Sequence, residues 1–154
     1  MQTSKVVAAL EIRRVPFQTL VDEGWALFKK HCEELTEEPF EPHLERYQRG
    51  DERGVLICLG AYVEESLIGY SISGIFRHGH YNQIHVTNDS LYIHPDFRRG
   101  IGLSLIRATE KHATDMGTDC MIWCAMAGSE LDLILSKRRC CEHLTNNYKR
   151  NLNG

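Results

Sequence analysis

The sequence of 154 residues contains no apolar run approaching the roughly 20 residues that span a bilayer, so no membrane-spanning segment is expected. Its start, Met1 to Glu11, has one lysine and only a short apolar run. That is not the pattern of a secretory leader, and a cytoplasmic location is expected. With no secretory leader expected, the six cysteines (Cys32, Cys58, Cys120, Cys124, Cys140 and Cys141) are expected to stay reduced and mostly to fill core, and no Cys-x-x-Cys pair occurs. His78, His80 and His85 have no ordered spacing to cysteine, and no metal site is expected. There is no excess of basic residues: the net charge of −3 argues against a nucleic acid held mainly through its phosphates. Repeats and low-complexity segments are absent too, and the length suits one domain over 1–154 rather than two ordinary ones.

What is present is a sequence of alternating element signals. Val6 to Val15 is rich in β-branched residues and ends at Pro16, which predicts a first strand. From Phe17, the apolar positions Phe17, Leu20, Val21, Trp25, Phe28, Cys32 and Leu35 fall at helical spacing. Pro39 and Pro42 end that helix, and His43 to Arg49 suggests a short second one before the turn at Gly50 to Gly54. Val55 to Val63 and Leu67 to Phe76 predict a hairpin about Glu64-Glu65-Ser66, and Ile84 to Ile93 a further strand stopped by Pro95. A helix from near Ile101 to Gly117 should bury Leu103, Ile106, Ala113 and Met116, with Leu105 and Thr109 flanking. Cys120 to Met126 reads as a buried strand, Ser129 to Arg138 as a helix with Ser129 as N-cap, and Cys140 to Leu152 as a closing extended segment or hairpin. The order β-α-α-β-β-β-α-β-α-β, with an early hairpin and a late crossover, predicts an α/β fold with a mixed sheet and helices on both faces.

The most informative stretch is Asp89 to Leu105, D-S-L-Y-I-H-P-D-F-R-R-G-I-G-L-S-L. A strand runs into a turn bearing two arginines and two glycines, and the turn into a helix whose first N–H groups lack intrahelical partners. That combination suits a phosphate. The dinucleotide pattern G-x-G-x-x-G fails, because Gly100-Ile101-Gly102 is followed by Leu103-Ser104-Leu105, and no Gly-Lys-Ser/Thr of a P-loop is present. An ordinary turn with exposed arginines is the competing reading.

In this stretch and in its element order the sequence resembles the GNAT family of N-acetyltransferases. The resemblance implies the GNAT acyl-CoA N-acyltransferase fold, acetyl-CoA as cosubstrate, and a pyrophosphate held by the turn: Arg98, Arg99, Gly100, Ile101, Gly102, Leu103 and Ser104. It also implies that Leu91, Tyr92 and Ile93 offer backbone groups to the pantetheine arm at a splay from the strand Cys120 to Met126, where the arm can bond as an added strand. Ser129 stands where the family often has Asn. Compared with the family pattern of Gln or Arg, two residues, Gly, one residue, then Gly or Ala, the loop is one residue short. The short chain, the short loop and the basic tail (Lys137 to Arg139, Lys149 to Arg150) resemble small phage or prophage members.

Acetyl transfer to an amine needs a free nitrogen lone pair, a polarised carbonyl and a proton for the departing thiolate. Asp89 and His85 share a face with Leu91 and Ile93 by a period of two and are the candidate bases. The family's general acid is often a tyrosine in the last helix; Ser136 stands there, and Tyr148 is the candidate in its place. Glu33, Glu34, Glu37, Glu38, Glu41 and Glu45 form either a solvated face or an acidic wall for a cationic acceptor. The implied partners are acetyl-CoA and an amine acceptor, with no membrane and with homodimerisation open. Three readings follow: an enzyme on a small cationic amine, an enzyme on a protein or aminoacyl-tRNA, and a binding or regulatory protein that has lost catalysis.

Overall fold

A computed structural model describes residues 8–152. The order of elements is β1 (Leu10–Arg14), α1 (Phe17–Leu35), α2 (Leu44–Glu52), β2 (Leu56–Val63), β3 (Ser66–Arg77), β4 (Ile84–Ile93), a 3-10 turn Pro95–Phe97, α3 (Arg98–Asp115), β5 (Cys120–Ile122) and α4 (Glu130–Ser136). The mixed α/β architecture expected from the sequence is present. The chain divides into two compact units, one running to Cys124 and the other starting at Ala125.

In the first unit the five strands lie in the order β1-β2-β3-β4-β5, antiparallel except for the parallel pair β4 and β5. β2 is buried along almost its whole length, which explains a continuous apolar run where a half-exposed strand would alternate. On one face Phe17, Leu20 and Phe28 of α1 pack against Leu56, Cys58, Tyr70, Ile72 and Tyr92. On the other, Leu105 and Ala113 of α3 pack against Ile57, Leu59, Val86 and Ile93. Val6 and Val7 of the expected first strand lie outside the described residues.

Two helix faces differ from expectation. α1 buries Phe17, Leu20, Gly24 and Phe28, while Trp25 is 44% exposed and lies against Phe40 at 5.1 Å between ring centroids. α3 buries Leu105, Ile106, Thr109 and Ala113 and leaves Met116 exposed. Thr109 can be buried because its hydroxyl donates to Leu105 O at 2.9 Å and lies 3.0 Å from Ser71 Oγ.

The β2–β3 turn forces Glu64 and Glu65 to φ of +49° and +63°. Such two-residue hairpin turns favour Asn-Gly, since side chains are strained there. Replacing Glu64-Glu65 by Asn-Gly should therefore stabilise the fold by about 1–2 kcal/mol, read as a rise in urea midpoint at constant slope.

The second unit contains α4, capped as expected by Ser129, whose Oγ accepts from Asp132 N at 3.2 Å while Asp132 Oδ2 accepts from Gly128 N at 2.7 Å. The extended segment expected from Cys140 to Leu152 does not form a strand among the described residues. Its larger apolar side chains Leu144, Tyr148 and Leu152 are 60%, 91% and 83% exposed and would alternate with Asn146 and Arg150 along one strand face, so no continuous apolar face is available to pack against a sheet.

Candidate active site

The site is built where β4 loses its neighbour. β5 pairs only His85–Thr87 of β4, through Cys120–Ile122, rather than extending to Met126. Among the described residues no strand pairs with β4 beyond Thr87 on that side, so the edge of β4 is open there.

A bulge lies where the splay opens. Ile72 pairs with Ser90 and Ser73 with Asn88, leaving Asp89 as the extra residue. The extra residue shifts the side-chain phase. Leu91, Ile93 and Val86 lie with the α3 cluster, and Asn88 Nδ2 reaches Ser71 and Ser73 at 3.3 and 3.1 Å. Asp89 therefore does not share the face of Leu91 and Ile93, as uniform alternation required. It is exposed, and its carboxylate accepts from the Tyr47 hydroxyl of α2.

His85 also departs from that face. It lies on the part of β4 closed by β5, against Phe76 and His78, with Nε2 3.0 Å from Gln83 Oε1. Four residues separate it from Asp89, about 13 Å along a strand. The two candidate bases are not brought together.

The turn after β4 has the geometry of a cradle. Arg99 and Gly100 interrupt α3 with non-helical angles, Gly100 at φ +82°, so the regular helix starts at Ile101. A Cβ placed on Gly100 or Gly102 would meet nothing within 4 Å, so the backbone there can be approached closely. The helix-start N–H groups of Ile101, Gly102 and Leu103 belong to this turn, and Ser104 Oγ lies 3.5 Å from Gly100 O. This open backbone fits a phosphate group.

The two arginines differ. Arg98 folds back: Nε donates to Ile93 O at 2.9 Å, its terminal nitrogen meets Glu34 at 2.5 Å, and the guanidinium lies 5.3 Å from the Tyr92 ring. Glu34 also accepts from Tyr92 OH at 2.6 Å. Burial alone would raise the Glu34 pKa, but the bonds from Arg98 and Tyr92 outweigh it and hold it below the usual carboxylate value. Arg98 thus ties the turn to α1, whereas Arg99 is exposed. Glu34 belongs to the acidic run, yet it lies three residues after His31, in line with the stripe Gly24, Phe28 and His31. That spacing is the sequence signal for its role.

Beside the bulge, a groove of about 370 Å³ is bounded by α1, the α1–α2 loop, α2 and the strands, with Tyr47, Tyr70 and Ser90 among its lining residues. His31 lines it as well. Its Nδ1 is 2.8 Å from Tyr70 OH and 3.4 Å from Ser90 Oγ, and its ring stacks on Tyr92 at 4.7 Å. Burial drives the His31 pKa down to about 4, with a smaller opposing effect of Glu34 and a lowering one from Arg98. A histidine depressed from about 6.5 contributes stability that is fully present above pH 6.5 and is lost as pH falls toward 4. Its contribution is about 3 kcal/mol. Unfolding midpoints between pH 7 and 4.5 should therefore drop steeply in the native chain and less in His31→Gln.

Cys124, just past β5, has its thiol pushed up by burial and then by the charge of Asp89, so it stays protonated. The remaining expected site residues, Ser129 and Tyr148, belong to the second unit: Ser129 caps α4, and Tyr148 lies in a stretch without regular structure.

An opened strand edge, a glycine turn at a helix start and a lined groove are the features of the first unit with the shape and chemistry to take up ligands. The chain belongs to the GNAT family of acetyltransferases: the profile of the family described as Acetyltransferase (GNAT) family matches residues 10–130. As a member it is an acetyltransferase with acetyl-CoA as cosubstrate. Among solved structures, the chain is similar to a ribosomal-protein-alanine N-acetyltransferase from Brucella melitensis biovar Abortus (19% identity, 95% of this chain and 99% of that one, TM-score 0.76). It is also similar to an aminoglycoside acetyltransferase from an uncultured soil metagenomic sample (20%, 93% and 96%, 0.72). A third is the aminoglycoside N-acetyltransferase AAC(6')-Iy in complex with CoA (19%, 96% and 97%, 0.73). Among curated proteins no match is found.

Proposed function

We propose that this chain transfers the acetyl group of acetyl-CoA to a primary amine held in the α1–α2 groove, by direct attack in a ternary complex. One observation carries this reading: the bulge at Asp89, just past the last residue of β4 paired with β5, supplies a carboxylate that accepts from Tyr47, a residue of the groove lining.

The residues divide the work. The open backbone at Gly100 to Gly102, with the N–H groups of Ile101 to Leu103, would hold the pyrophosphate, with Arg99 adding charge and Ser104 near by. Leu91, Tyr92 and Ile93 would offer backbone groups to the pantetheine arm along the opened edge. Arg98 positions the turn through Ile93 and Glu34. Asp89 receives the ammonium and takes its first proton through water; His85 is engaged elsewhere on β4. The nitrogen then attacks the carbonyl carbon, the C–N bond forms and the C–S bond breaks. The nitrogen sheds a second proton, the departing thiolate takes up one, and one proton is released overall. The protonated Cys124 supports direct transfer over a covalent relay.

The short loop and the basic residues Lys137 to Arg139 and Lys149 to Arg150 favour a small phage or prophage member. Thiol release from acetyl-CoA, measured across a panel of primary amines, tests the activity. Tight acetyl-CoA binding in calorimetry with no thiol released on any amine, peptide or aminoacyl-tRNA would replace this reading with a binding role.

A further inference from the structure

We propose that the groove selects an acceptor amine with one positive charge, carried on an apolar and preferably aromatic body, and discriminates against polycations. The inference rests on the groove being the acceptor site. The walls supply the argument: Phe28, Phe40, Leu44, Tyr47 and Tyr70 give apolar and aromatic surface, and the one carboxylate among the lining residues is Glu41. Small-molecule sites are mostly apolar with a few placed polar groups, and this volume, about 370 Å³, is at the compact end of their range.

The charge distribution points the same way. Of the six acidic residues between Glu33 and Glu45, Glu34 is taken by Arg98, Glu33 lies 3.9 Å from Lys29, and Glu45 is paired with Arg49. The run is therefore not a continuous acidic wall facing the groove. The two carboxylates act on the same cation in turn: Glu41 meets the ammonium as it enters, and Asp89, next to the lining residue Ser90, receives it for reaction; any further ammonium among the apolar walls would lose hydration with no lining carboxylate beyond Glu41 to meet it. Aromatic faces add attraction for one cation and for an aryl group. His31, neutral because it is buried, adds no opposing positive charge.

The test compares kcat/KM for phenethylamine, spermidine and kanamycin at saturating acetyl-CoA. Phenethylamine should exceed both polycations at least tenfold; equal values, or a preference for a polycation, would overturn the proposal. Glu41→Gln, an exposed substitution, should raise KM for phenethylamine about tenfold with kcat and acetyl-CoA affinity unchanged, and an unchanged KM counts against it. A separate measurement covers failure of the catalytic reading itself. Trp25 lies against Phe40, so its fluorescence should report occupation of the groove without turnover. A saturable change with phenethylamine that Phe40→Ala removes and Phe40→Leu partly restores would support the groove's selectivity even if no acetyl group moves. A saturable response to spermidine alone would overturn it.

Discussion

Gly100→Val should weaken acetyl-CoA binding by roughly a hundredfold or more in calorimetry. The reasoning starts from the backbone. Gly100 has φ of +82°, a region that costs a side-chain-bearing residue about 1–2 kcal/mol, and a β-branched residue at least that. The chain has two ways to respond. If it keeps the angle, the new methyl groups occupy the open space beside Gly100, where the phosphate must approach the backbone. If it relaxes the angle, Ile101 to Leu103 turn away and the N–H cradle is lost. Charge-assisted hydrogen bonds are each worth about 1.5–3 kcal/mol, so losing two accounts for the hundredfold effect. A Cβ at Gly100 meets nothing within 4 Å, so the folded state should lose little beyond the backbone strain. A thermal melt separates this outcome from global unfolding. Unchanged affinity in a folded variant would refute the phosphate site.

Asp89→Asn should lower kcat/KM for amine acetylation by roughly 10²–10³-fold while leaving acetyl-CoA affinity intact. The substitution keeps shape and removes the charge that receives the ammonium and the capacity to accept its proton. Asp89 is exposed and its carboxylate accepts from Tyr47, so little stability depends on its charge. Burial, reinforced by the adjacent Asp89, holds the Tyr47 hydroxyl well above the usual phenol value, so it stays a donor across the working pH range. Tyr47→Phe should then act through orientation alone, with a loss near tenfold. A rate for Asp89→Asn within a factor of three of the native chain, by steady-state thiol release, would remove Asp89 from the mechanism.

The local elements were readable because their causes are local. Pro16 ends β1, the helical stripe from Phe17 to Leu35 defines α1, Pro95 stops β4, and Gly117 at φ +75° ends α3. The glycine turn from Arg98 to Gly102 was readable for the same reason, since its backbone freedom and charge lie within five residues. Sequence pattern and structure differ where a distant partner decides the outcome. Uniform alternation along β4 put Asp89, His85, Leu91 and Ile93 on one face, yet the register against β3 inserts a bulge and turns Asp89 toward Tyr47. Arg98 reads as a phosphate ligand in isolation; in the fold Glu34 and Ile93 O, 64 and 5 residues away, hold its guanidinium. His31 passes unnoticed in a helix that is otherwise apolar on that side, and only burial against Tyr70 and Tyr92 makes it a neutral lining group.

The sequence by itself determined the α/β order, the glycine turn at a helix start and, through them, the resemblance to acetyl-CoA-dependent transferases, because hydrophobic period, proline stops and glycine freedom act over a few residues. The tertiary structure alone decided which side chains meet. The 3–4 residue patterns of a helix cannot specify that Glu34 closes on Arg98, and a period of two cannot reveal a bulge whose cause lies in the neighbouring strand. The α1–α2 groove follows from such meetings, since residues from Phe17 to Ser90 form one wall only after the sheet, α1 and α2 have packed.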